Sequence, residues 1–159
     1  MFSIGDKVVY PMQGIGIIEK IENKTISDEE KEYLKIKILS NDMEIMIPTD
    51  RIETSNLRKI SDNSELTNVI NVLSDDDSSS EYNDLSFKER YQLNFNKIKT
   101  GTLENSAEVV HDLMLIKKNK NLNSSEKQLL KTARRFLVDE VSVMKNISTT
   151  ETTELLGLN

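Results

Sequence analysis

The apolar residues of this chain change period part-way along it. Between Lys7 and about Arg58 they alternate, as on strands with one buried face. Beyond Arg58 they recur every three or four residues, as on amphipathic helices. A chain with that switch is expected to build a sheet first and helices second, an α+β arrangement with the two element types segregated. Residues 1–60 then form a small β domain and residues 61–159 an all-helical one.

In the first part, Lys7-Val8-Val9-Tyr10 reads as a strand ended by Pro11, and Gly14-Ile15-Gly16 as a hairpin turn in which positive φ costs little. Gly16 to Glu22 reads as a second strand, with Ile17, Glu19 and Ile21 on one face and Ile18, Lys20 and Glu22 on the other. Ser27 to Lys31 is a polar turn. Tyr33 to Ile38 alternates cleanly, setting Leu34, Ile36 and Ile38 opposite Lys35 and Lys37. Asn41-Asp42 makes a tight turn into Met43–Ile47, which stops at Pro48, and Ile52 to Leu57 reads as a short closing edge strand. Short strands with turns between them predict a small barrel or sandwich of the SH3 or Tudor kind.

In the second part, Asp62 is placed to cap a helix carrying Leu66, Val69, Ile70 and Leu73. The acids and serines near 75–81 cannot bury apolar surface and predict a flexible loop. Ser86-Phe87-Lys88-Glu89 has capping-box spacing and Gly101 is placed to stop that helix, which carries Phe87, Tyr91 and Phe95 in one stripe. A further helix is predicted from about Leu103 to Asn119. Another starts at Asn123, with Glu126 in the box position, and runs to about Asn146; a short last helix covers Glu151 to Leu156. On the Asn123–Asn146 helix, Leu130, Ala133, Leu137, Val141 and Met144 form a core stripe. Lys127, Lys131, Arg134 and Arg135 fall within about 100° of arc beside it.

The net charge of −6 over 159 residues conceals a reversal along the chain. Residues 1–85 carry 9 Lys/Arg against 18 Asp/Glu, residues 86–137 carry 11 against 5, and residues 138–159 carry 1 against 4. The segment 86–137 is therefore the candidate electrostatic footprint on a phosphate backbone, although solvated lysines on helix surfaces produce the same bias. There is no cysteine, and His111 is the single histidine. Thiolate metal sites, disulfides and histidine-based triads thus lack material, and His111 reads as a surface or boundary residue of a helix. Gly14-Ile15-Gly16 lacks the Lys-Ser/Thr of a phosphate loop and the third glycine of a dinucleotide fingerprint. The carboxylates crowd loops and strand edges with nothing to separate their pKa values. The expectation is a cytoplasmic protein without cofactor or metal, and not an enzyme.

Several short matches occur in order along the chain. They are Gly5-Asp6-Lys7-Val8-Val9-Tyr10-Pro11 with Gly14, Lys31-Glu32-Tyr33-Leu34, Ile47-Pro48, and Arg90-Tyr91 with Asn94. Ala107-Glu108-Val109-Val110 with Asp112-Leu113, then Leu122, Ser125-Glu126-Lys127 and Ala133-Arg134 follow. Together these make the sequence resemble the CarD/CdnL family of bacterial transcription regulators over nearly its whole length. Its N-terminal half is also similar to the RNA-polymerase-interacting domain of the transcription-repair coupling factor.

That resemblance implies a monomer with two contacts. The Tudor-like module would dock on the β subunit of RNA polymerase, with Lys24, Lys35, Lys37 and Met46 near the docking surface. Met46 stands where several relatives have a basic residue. The helical module would touch promoter DNA at the upstream edge of the melted region, in the minor groove and with little sequence specificity, stabilising or tuning the open complex. In the family an aromatic residue at the start of the first long helix wedges into the groove, typically a tryptophan; the matching residue here is Phe87. Phe87 admits a second reading, as the first member of a core stripe. Arg90 matches the family's DNA-proximal arginine, with a solvated helix cation as its alternative, and Lys88, Lys127, Lys131 and Arg134 are further DNA candidates. The competing function is a protein–protein adaptor whose basic helices meet an acidic partner instead of DNA.

Overall fold

A computed structural model describes residues 1–75 and 84–158. The chain forms two compact units, Met1–Ile60 and Ser61–Asn159, each with its own apolar core. The α+β class expected from the sequence is the one observed, strands first and helices after. Most of the acidic and serine-rich segment expected at 75–81 lies outside the described residues.

The first unit is one antiparallel sheet of five strands, β1 (Lys7–Tyr10), β2 (Gly14–Ile26), β3 (Glu29–Ile38), β4 (Glu44–Pro48) and β5 (Arg58–Lys59), in the order β4-β3-β2-β1-β5. Val8, Ile18, Leu34, Ile36, Ile38, Ile47 and Leu57 form its core, so the alternation read on β3 is the one observed. Three sequence expectations change here. The β1–β2 turn is Pro11–Gln13, three residues earlier than expected, because Tyr10 pairs with Gly14 and Met12 takes the left-handed φ of 71°. Gly14-Ile15-Gly16 lies inside β2. There Gly16 is required by close packing: a Cβ would sit 2.6 Å from Ile36 Cγ2 and 3.0 Å from the Lys37 carbonyl oxygen.

The alternation read along β2 also breaks, at a bulge between Ile18 and Lys20. The extra residue moves Ile21 to the face of Ile18, while Ile17, Lys20 and Glu22 share the opposite face. Beyond the bulge β2 and β3 continue as a ribbon to Ser27 and Asp28, whose φ values of 54° and 62° give the two-residue turn that suits the strand twist. Finally, the closing edge strand expected at Ile52–Leu57 is a helix, α1 (Ile52–Ser55), ended by Asn56 in the left-handed region. Ser55 Oγ donates to the Ile52 carbonyl at 2.6 Å and accepts from Leu57 N at 3.2 Å. This compact turn lets Ile52 pack against the core and Leu57 enter it, and the edge strand forms afterwards, as β5 against β1.

The second unit contains α2 (Asn63–Leu73), α3 (Phe87–Thr100), α4 (Leu103–Asn119), α5 (Ser124–Lys145) and α6 (Thr149–Leu155). Asp62, Ser86, Thr102, Asn123 and Ser148 each accept a backbone N–H at a helix start. Gly101 ends α3 at φ 79°. Leu113 and Val110 of α4 meet Leu137, Ala133 and Val141 of α5 in the centre of the core, with Ile98 of α3 and Val69 of α2 against them. The α5 stripe is wider than expected: Leu129 and Val138 are buried and Leu130 is only partly so, because α5 packs against α3, α4 and α6 on different sides.

Candidate nucleic-acid and protein interfaces

On the β unit the register places Lys24, Lys35, Lys37 and Met46 on one face of the sheet, opposite the core. Lys24 pairs with Lys31, Lys35 with Met46, and Lys37 with Glu44, on the outward side of alternating β3 residues. The face is not a free basic patch. Lys35 reaches Glu44 at 3.2 Å and Glu19 at 4.0 Å, Lys37 reaches Asp42 at 3.7 Å, and Lys24 reaches Glu22 at 3.8 Å. It presents charges of both signs around Met46 of β4, the strand whose outer edge has no neighbouring strand among the described residues. Such a surface selects a partner by charge pattern more than by net charge.

On the helical unit Phe87 occupies the first turn of α3 and is 41% exposed, outside the core. Its ring lies 6.2 Å from that of Tyr91, and Tyr91 stacks on Phe95 at 6.0 Å; these two inner rings pack against the core. The stripe read from the sequence is thus graded, with its inner members anchoring an outer ring that remains available to solvent. The core reading of Phe87 does not hold.

Arg90 is placed differently from either expectation. It is buried, with Nε donating to Glu126 Oε2 at 2.7 Å and Nη2 to Glu126 Oε1 at 2.8 Å, while Glu126 is 1% exposed. Its fork is committed to a carboxylate inside the bundle and is not a solvated cation. The Glu126 hydrogen bonds hold the guanidinium pKa above its ordinary range, against the opposing effect of burial. One turn on, Asn94 Nδ2 donates to Asp112 Oδ2 at 3.0 Å, and Asn94 Oδ1 is buried without a hydrogen-bond partner among the described residues. These two pairs fasten α3 to α5 and α4, and they set the direction in which Phe87 projects. The capping box expected at Asn123 and Glu126 is half closed: Asn123 Oδ1 accepts from Glu126 N at 2.9 Å, but the Glu126 carboxylate turns to Arg90.

Lys88 and Lys127 are exposed, next to Phe87 and Glu126 respectively. Lys131 and Arg135 lie further along α5. With the half-buried Arg134, Asp139 and Thr153 and the exposed Thr149, they line a shallow cleft of about 300 Å³ between α5 and α6. Arg134 Nη2 donates to the Leu158 carbonyl, so this cation also ties down the C-terminal turn. Burial pushes the Asp139 carboxyl up from its usual range, with Arg135 opposing. His111 is half-buried on α4. No group of three or more His, Cys, Asp or Glu residues among those described could hold a metal ion, and no described helix is long and apolar enough to cross a membrane.

The pairs Arg90–Glu126 and Asn94–Asp112 fall on residues that carry the family resemblance in the sequence. Comparison with known families gives the same answer over both units. A model of the CarD-like/TRCF RID domain matches residues 2–61, and one of the CarD C-terminal domain matches residues 68–157. The chain belongs to the CarD family. A relative in Bacillus subtilis (strain 168), YdeB, named provisionally as a transcription factor, is 44% identical over 148 residues, covering 93% of this chain and 95% of YdeB. Among solved structures, CdnLNt from Myxococcus xanthus is 38% identical over 38% of this chain and 84% of its own, with a TM-score of 0.33. The 72-residue N-terminal domain of M. xanthus CarD, solved by solution NMR, is 24% identical over 37% and 79%, also with a TM-score of 0.33.

Proposed function

We propose that this CarD-family protein is a transcription regulator that interacts with RNA polymerase through its β unit, on the β subunit, and with promoter DNA through its helical unit, so as to stabilise or tune the open complex. The observation that carries the reading is the exposed ring of Phe87, held at the first turn of α3 by the Tyr91–Phe95 stack beneath it and the buried Arg90–Glu126 pair beside it. An apolar ring presented at a helix start, with cations around it, suits partial insertion at a base step of the minor groove. The contact reads shape, not base edges, and gives little sequence specificity. Lys88, Lys127, Lys131 and Arg134 supply phosphate contacts, and Arg90 acts as a positioning residue through Glu126. Lys24, Lys35, Lys37 and Met46 form the polymerase-facing surface.

One wedging or stacking contact contributes about 1–3 kcal/mol. That shifts an open-complex equilibrium without giving a net acidic protein useful affinity for DNA alone. Docking on polymerase supplies the rest by raising the local concentration of the helical unit at the promoter. The test is retention on immobilised RNA polymerase. The full chain is expected to be retained, and retention to be lost when residues 1–60 are removed. No retention of the full chain, or equal retention without the β unit, contradicts the reading. An adaptor that meets an acidic protein instead of DNA is separated by asking whether promoter DNA, with polymerase present, adds salt-sensitive binding.

A further inference from the structure

α3 and α4 run antiparallel, with Asn94 level with Asp112 and Lys97 bonded to Glu108 at 3.0 Å. Moving from Asn94 back to Phe87 therefore covers the same length, about two turns, as moving from Asp112 forward to Asn119 at the end of α4. The Arg90–Glu126 pair sets the first turn of α5 beside the first turn of α3. The C-terminus of α4, the α4–α5 connection and the N-terminus of α5 thus come together at the Phe87 end of the bundle. That end carries Lys117, Lys118 and Lys120 as well as Lys88 and Lys127, all exposed.

None of these five lysines forms an ion pair with a described residue. Lys24, Lys31, Lys35, Lys37 and Lys59 of the β unit do, as does Lys97 at the other end of α3. Among the described residues the acids close in sequence to Phe87 are Asp84 and Glu89, and Glu89 accepts a hydrogen bond from the Ser86 hydroxyl at the start of α3. The opposite end of the bundle holds Glu104 and Glu108 of α4 and Asp139 and Glu140 of α5. Lys97, Lys99 and Lys145 stand at that opposite end as well, so the two ends differ in balance: cations outnumber acids around the exposed ring, and acids outnumber cations at the other end among the described residues.

We infer that Lys117, Lys118 and Lys120 are phosphate-contacting residues, and that the nucleic-acid backbone crosses the α4–α5 end of the bundle on either side of Phe87. This deepens, and rests on, the reading of the helical unit as a DNA-binding module. It adds three residues on α4 and its exit to the α5 cations, of which Lys131 and Arg134 lie one to two turns further from the ring. A rigid acidic protein would need carboxylates matched to these positions, whereas a phosphate backbone offers a charge at every step and meets a ring of flexible lysines without a fixed register.

The experiment compares the affinity of the full chain for promoter-bound RNA polymerase with its affinity for free polymerase, over a series of salt concentrations. The ratio isolates the contribution of DNA. The triple variant Lys117→Gln, Lys118→Gln, Lys120→Gln is expected to reduce the slope of the logarithm of this ratio against log salt by about 2.7, or 0.9 for each phosphate no longer neutralised. Lys99→Gln with Lys145→Gln, exposed and away from this end, should leave it unchanged. Acylation of lysine amines gives a second readout, with Lys117, Lys118 and Lys120 protected in the promoter complex and reactive with polymerase alone. A wild-type slope in the triple variant, with DNA-dependent binding intact, overturns the inference and leaves the transcriptional reading standing. Protection by polymerase alone assigns these lysines to a protein contact and overturns it too. No contribution of DNA with the wild-type chain overturns both.

Discussion

Arg90 shows how a residue type in a suggestive place takes a different task from its surroundings. Its spacing on α3 gave a cation beside Phe87, and nothing in the local sequence indicates that Glu126, far along the chain, receives its fork. Removing one partner of a buried ion pair leaves the other charge uncompensated, at a cost of about 3–5 kcal/mol. Arg90→Ala and Glu126→Ala should each lower the unfolding free energy of the helical unit by about that amount in urea titrations. The double variant should cost less than the sum, and Arg90→Lys should not restore the stability, because an ammonium cannot reproduce the fork. An unchanged midpoint for Arg90→Ala would return Arg90 to the solvent. Asp139 gives a test of opposite sign. Its carboxyl is pushed above the ordinary value of 3.8 chiefly by burial, so the folded state binds the proton more readily than the unfolded chain. Stability from this group is therefore lowest at neutral pH and recovers as pH falls through the raised value. Asp139→Asn should raise the unfolding midpoint at pH 7, and the gain should fade by about pH 4.

At the scale of elements, period and punctuation were legible in the sequence, while two-versus-one register was not. The caps at Asp62, Ser86 and Asn123 and the stop at Gly101 are set by local hydrogen bonds and backbone freedom, and they appear where the residues put them. The bulge at Glu19 depends on what β3 presents across the ladder, which periodicity along one strand cannot carry. The helix at Ile52–Ser55 is likewise a tertiary outcome, chosen so that two apolar residues reach one core. Lys117, Lys118 and Lys120 are inconspicuous singly because only the antiparallel pairing of α3 and α4 brings them to Phe87; the charge excess of 86–137 is their one trace in the sequence. Gly16 supplies the test at this scale. A Cβ there must displace the Ile36 side chain and the backbone of Lys37, so Gly16→Ala should destabilise the β unit by about 1–3 kcal/mol. Urea titration of the full chain followed by a β-unit probe would show it, and unchanged stability would mean that β2 and β3 have room to part at this point.

At the scale of the molecule, the proposed function divides the work between the two units by chemistry. The β unit offers a mixed-charge sheet face suited to a protein partner, and the helical unit offers an exposed ring among unpaired cations suited to a polyanion. Neither contact has to be strong alone, since a tether converts a weak second contact into an effective one. This separation predicts that damage to the ring leaves the grip intact. The decisive measurement is the lifetime of open promoter complexes in the presence of the full chain and of its Phe87→Ala variant, with polymerase retention assayed in parallel. Because Phe87 lies outside the core, the variant should fold and bind polymerase as the wild type does, while the change in lifetime that the protein confers falls by about 5- to 150-fold, or vanishes where that change is smaller. An unchanged lifetime, or a loss of polymerase binding together with the lifetime effect, would contradict the account.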